Sequence, residues 1–232
     1  MIKGVKILND LQNLFFPNTC LGCSEIIGFN DAVLCVSCRH QLPLTQFINE
    51  NDNLTEKFLY GRIKIENAAS FIRYYKKGIS KQLIHHLKYK GHQEIGTMFG
   101  KWVGHEILVS NRFKNIDYVI PVPLHKKKLK ERGYNQVSNF GIEIANCIDA
   151  IYSEEIVSNV KYSKTHTSKN RNQRALSIGN QFLYNKNIPL NNKHILIVDD
   201  VITTGATLES CVRAFPKELN IKFSIITIAI TS

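Results

Sequence analysis

The stretch ILIVDDVITTGATLES, residues 195–210, constrains this chain more than any other. Four consecutive aliphatic residues lead into two adjacent carboxylates, Asp199 and Asp200, and then into Thr203, Thr204, Gly205, Ala206 and Thr207. A short, unbroken apolar run reads as a strand buried on both faces, the kind found in parallel sheets covered by helices. In such sheets ligands sit in the crevice at the carboxyl ends of the strands, which is where both acids fall. The flanking sequence agrees. AASFIRYY, DYVIPVP, a short segment near 156–160 and KFSIITIAI read as further strands. Between them, ISKQLIHHLKYKG, residues 94–110, the apolar face Val137, Phe140, Gly141, Ile144, Ala145 and Ile148, and the segment with Leu208, Cys211, Val212 and Phe215 have helical spacing. The predicted fold class is α/β, a mainly parallel sheet flanked by helices.

The residues after the strand fit an anion. A loop running into a helix offers unpaired backbone N–H groups and the positive end of the helix dipole. Three hydroxyls and a glycine that lets the backbone approach suit a phosphate monoester. The GxxxxGK and GxGxxG patterns are absent, so neither a P-loop nor a dinucleotide turn is present. One acid would suffice to cap a helix; two acids followed by this loop suggest a diol and a phosphate together, as in a ribose 5-phosphate.

Charge points the same way. The chain has 232 residues and a formal net charge of +11, with the excess concentrated. Arg73, Lys76, Lys77, Lys81, Lys88 and Lys90 face no acid within residues 73–90. Lys126, Lys127, Lys128, Lys130 and Arg132 face only Glu131 within 126–132. Residues 161–174 hold five more unopposed cations, so the rest of the chain is net negative. A phosphate-rich partner, metabolite or nucleic acid, accounts for this clustering better than evenly solvated lysines do. Hydrophobic content of 44% and charged content of 21% argue against disorder and against membrane spanning, and the N-terminus has no signal-peptide pattern. The expected location is the cytoplasm.

Cys20, Cys23, Cys35 and Cys38 form CLGC and CVSC, two knuckles that can each offer a pair of thiolates to one tetrahedral ion. Structural zinc is the expected occupant and iron the main alternative; disulfides lack a secretory context. Cys147 and Cys211 stand apart, among apolar neighbours. The expected domains are residues 1–45, with a helix over 1–16 ended by Pro17 followed by the cysteine module, a polar linker over 46–66, and the α/β domain over 67–232.

ILIVDDVITTGAT resembles the phosphoribosyl pyrophosphate signature of type I phosphoribosyltransferases. Taken with the two knuckles, LKYKG at 87–91, PVPLHKKKLKERGYNQ at 121–136 and THTSKNRNQR at 165–174, the chain is similar to the competence-associated ComF family. The resemblance implies that Asp199 and Asp200 contact the ribose hydroxyls and act in catalysis, and that Thr203 to Thr207 grip the 5-phosphate. It implies that Lys128, Arg132 and Gly133 handle pyrophosphate, with magnesium on the pyrophosphate, and that a mobile loop with Lys169, Arg171 and Arg174 closes over the site. The implied reaction displaces pyrophosphate from the anomeric carbon, and nothing in the sequence names the acceptor. The implied setting is DNA uptake, with single-stranded DNA and DNA-import proteins as partners. The alternative is a DNA-binding adaptor of that machinery that carries out no chemistry.

Overall fold

The computed structural model describes residues 17–28, 33–160 and 181–231. The expected helix over 1–16 and the basic stretch with Lys169, Arg171 and Arg174 lie outside them. The strands are β1 (Asn67–Tyr74), β2 (Tyr118–Pro121), β3 (Ile151–Tyr152), β4 (Val157–Asn159), β5 (Phe182–Tyr184), β6 (His194–Ile202) and β7 (Lys222–Thr231). Five of them form one sheet in the order β1–β7–β6–β2–β3, every pair parallel. The expected mainly parallel sheet is therefore present. β6 lies at its centre, with Ile197 opposite Ile225 on one side and Ile120 on the other. Residues Ile195 to Val198 are fully buried, as the apolar run requires. β4 and β5 pair antiparallel outside this sheet.

The helices are α1 (Val36–His40), α2 (Leu54–Leu59), α3 (Ile79–Tyr89), α4 (Glu94–Val109), α5 (Lys126–Arg132), α6 (Ser138–Ile148) and α7 (Ala206–Val212). None among the described residues is long and apolar enough to cross a membrane. α4 and α6 pack closely because α4 turns Gly96, Gly100 and Gly104 toward α6. A Cβ on Gly100 would stand 2.6 Å from the Phe140 carbonyl oxygen, and one on Gly104 would stand 2.6 Å from Cys147 Cβ. α6 in turn packs on β2 and β3, which fixes the chain leaving the carboxyl end of β2.

Residues 46–66, read as a linker from their weak periodicity, contain a helix packed on the sheet. Asn53 is buried and caps α2 with its side-chain oxygen, while its amide donates to the Ala68 carbonyl at 2.8 Å. Thr55 and Ser70 share a hydrogen bond at 2.8 Å, and Leu59 is fully buried. The basic stretch LHKKKLKERGYN contains α5. Lys, Leu, Glu and Arg are good helix formers, His125 Nδ1 accepts from the Lys127 N–H at 3.2 Å, and Gly133 ends the helix at φ 78°. No residue of α5 is buried, so no apolar stripe marked it in the sequence.

Candidate functional site

The carboxyl ends of β2 and β6 lie side by side, with Pro121 opposite Val198 and the Val122 N–H bonded to the Val198 carbonyl at 2.9 Å. Asp199 and Asp200 follow at once. The Asp200 N–H donates to Asp199 Oδ1 at 2.8 Å, which holds the Asp199 carboxyl against the backbone of Asp200. Asp200 is buried and engaged on one oxygen. Its Oδ2 lies 3.0 Å from Lys88 Nζ and accepts an N–H from Gln136. Asp199 keeps some contact with solvent, yet burial and the adjacent Asp200 charge push its carboxyl up to about 8, with Lys88 opposing. Near neutral pH Asp199 therefore holds its proton, while Lys88 stands beside the Asp200 carboxyl.

The anion loop follows. Thr203, Thr204, Ala206 and Thr207 are exposed, whereas Gly205 is buried and left-handed at φ 74°. A Cβ there would stand 2.9 Å from Leu59 Cδ2, so α2 buttresses the loop from behind. Ala206 N–H points back to Thr204 Oγ1 at 3.4 Å, and α7 begins at that residue. The loop thus leaves Thr203, Thr204 and Thr207 exposed directly after the acidic pair.

Opposite the pair, the segment Gly133 to Gln136 is anchored residue by residue. Tyr134 donates its hydroxyl to the Leu87 carbonyl at 2.6 Å, Asn135 donates to the Val122 carbonyl at 3.1 Å, and Gln136 reaches Asp200. Arg132 donates to Gln136 Oε1 and lies over the Tyr89 ring at 5.2 Å. Lys88, Tyr89, Lys128, Arg132 and Tyr134 line a cleft of about 330 Å³. The structure thus connects Arg132 to the acidic pair through Gln136 and places Lys128 and Arg132 in one cleft. Lys88 and Gln136 have no role in the sequence reading, although both lie inside motifs quoted there. Their contacts cross 112 and 64 residues of chain, and periodicity carries no such signal. His85 is exposed, and His86 stacks on His92 at 5.2 Å, a packing role. Cys211 is fully buried, a small hydrophobe beneath the site.

At the other end of the chain, Cys20, Cys23, Cys35 and Cys38 bring four sulfurs within 4.8 Å of one another. A tetrahedral ion with metal–sulfur bonds of about 2.3 Å separates its sulfurs by roughly 3.8 Å. Cys23 Sγ and Cys35 Sγ are 3.8 Å apart. The N–H groups of Gly22 and Cys35 both point at Cys20 Sγ, each at 3.3 Å, as donors to thiolate would. A Cβ on Gly22 would stand 2.7 Å from Cys38 Sγ, which explains the glycine in CLGC. The donor set and its spacing suit a metal ion.

No family model matches the chain. It is 26% identical over 129 residues to DNA utilization protein YhgH of Salmonella typhi, covering 54% of this chain and 56% of that protein. It is 32% identical over 101 residues to Competence protein F of Haemophilus influenzae, covering 43% and 44%. Competence protein ComFC of Bacillus subtilis is 29% identical over 137 residues, covering 57% and 52%. The chain thus matches about half the length of these relatives, and their names bear out the ComF resemblance carried by the motifs. Among solved structures, the glutamine phosphoribosylpyrophosphate amidotransferase from B. subtilis gives a TM-score of 0.39 at 16% identity, covering 61% of this chain and 30% of that one. A hypoxanthine phosphoribosyltransferase from Staphylococcus aureus gives 0.35 at 18%, covering 58% and 62%.

Proposed function

We propose that the chain binds phosphoribosyl pyrophosphate. The observation that carries this reading is the acidic pair at the carboxyl end of the central strand, with an outward-facing hydroxyl loop on one side and a cationic cleft on the other. In this reading Asp199 and Asp200 accept the two ribose hydroxyls. Thr203, Thr204, Gly205, Ala206 and Thr207 hold the 5-phosphate, through N–H groups at the start of α7 and through hydroxyls. Lys128 and Arg132 hold the pyrophosphate, and Gly133 lets the chain turn beside it. Magnesium belongs to the ligand, where it neutralises pyrophosphate oxygens. Lys169, Arg171 and Arg174 keep their proposed part in closing over the ligand. Positive charge developing on the ribose ring during transfer would be stabilised by the adjacent carboxylates. We assign the four-cysteine cluster structural zinc, since four thiolates leave it no open position for chemistry.

The names of the relatives, competence and DNA utilization, support a link to DNA uptake. The exposed helix α5, with five cations against one acid, favours a second reading in which single-stranded DNA binds there without chemistry. Equilibrium dialysis with labelled phosphoribosyl pyrophosphate and magnesium tests the first. Saturable binding, displaced by ribose 5-phosphate and by pyrophosphate but not by ribose, is expected. Binding displaced only by DNA, and lost steeply with salt, would support the second reading instead.

A further inference from the structure

Lys88 occupies the last turn of α3, and its side chain is only 20% exposed. Most surface lysines keep the ammonium in water and the stem free, whereas this one gives up both to sit 3.0 Å from Asp200 Oδ2. Its surroundings are built to keep it there. Tyr134 ties its loop to the Leu87 carbonyl, one residue before Lys88. Arg132 stacks on Tyr89, one residue after, and reaches the same carboxylate oxygen through Gln136. The end of α3, the end of α5 and the end of β6 thus close a ring around one carboxyl.

We propose that Lys88 is the positioning residue of this site, its ammonium holding Asp200 as a carboxylate aimed at the ligand's diol; this rests on the ribose-phosphate reading above. Among the described residues, the charged and titratable groups facing Asp200 are Asp199 on β6, Lys88 on α3, Arg132 of α5 acting through Gln136, and Cys211 of α7 behind Asp199. Of these, Lys88 makes the direct ion pair. With its charge removed, two adjacent and largely desolvated carboxyls would face each other without a directly paired counter-ion among the described residues. Their ionisation would then move to higher pH. The pair would then keep a second proton near neutrality and lose one acceptor position for a ribose hydroxyl. Raising the pH would restore that position, which a merely structural defect would not allow.

The experiment uses the full chain with carboxyl-labelled aspartate, as wild type, Lys88→Met and Lys88→Arg. Carbon NMR titration is expected to move the lower apparent ionisation of the Asp199–Asp200 pair up to neutrality or above in Lys88→Met, and to leave it near the wild-type value in Lys88→Arg. An unmoved step in Lys88→Met overturns the proposal. Calorimetry with phosphoribosyl pyrophosphate and magnesium is expected to show binding weakened about tenfold in Lys88→Met near neutral pH, with most of it recovered roughly two pH units higher. A loss of the same size at every pH overturns the proposal. If the wild type binds no phosphoribosyl pyrophosphate at all, the ribose-phosphate reading falls, and the NMR titration alone decides for or against Lys88.

Discussion

A carboxyl that holds its proton to about pH 8 costs the ligand-free protein stability, and the sign of that cost is fixed. Asp199 ionises near 3.8 in an unfolded chain and near 8 in the folded one. Between those values the folded state binds more protons, so stability falls as pH rises through the window. Asp199→Asn removes the group, and the variant is expected to be more stable than wild type at pH 8 and almost unchanged at pH 4. Urea unfolding at the two pH values checks this; equal effects at both would show that Asp199 ionises normally. The variant is also expected to bind ligand less well, the usual exchange of stability for function at a site of like charges. Both acids were legible in the sequence because they interrupt an apolar run. Lys88 and Gln136 were not, because a lysine on an amphipathic helix and a glutamine after a turn look the same whether or not a carboxylate waits across the fold.

The elements were legible where burial imposes a period and obscure where it does not. β6 and α6 announce themselves by apolar runs and stripes. α5, with no buried residue, was hidden, and α2 was hidden because it spans six residues, too few to show a period. The glycines of α4 carry a further consequence. Alanine is favoured over glycine in an exposed helix by about 1 kcal/mol. At Gly100 a Cβ would meet the Phe140 carbonyl oxygen at 2.6 Å and Glu143 Cβ at 2.8 Å, and that backbone oxygen cannot yield without moving α6. Overpacking of this kind costs about 1–3 kcal/mol, so Gly100→Ala is expected to lower the unfolding midpoint despite its better propensity. A raised midpoint would mean that α4 and α6 are free to separate. Gly205→Ala combines strained backbone at φ 74° with a clash against Leu59, and is expected to lose both stability and ligand affinity.

Across the whole molecule, the cysteine module and the sheet share one core. Leu34 and Leu42 are buried in the same apolar cluster as β6, and Gly22 lies against both Cys38 Sγ and Ile79 at the start of α3. Metal loss is therefore expected to be felt beyond the module. The purified chain is expected to carry one zinc ion, and a strong chelator to lower its melting temperature. A metal-free chain with an unchanged melting temperature would contradict the assignment. The proposed function has two adjacent acids at the end of β6 receive a ribose. Its most direct test is calorimetric titration of phosphoribosyl pyrophosphate with magnesium into the wild type and into the Asp199→Asn, Asp200→Asn double variant. Saturable binding to the wild type is expected, weakened about a hundredfold or lost in a variant that remains folded, since two hydrogen bonds to the acidic pair disappear. Equal affinity in both proteins, or no binding to the wild type, would contradict it.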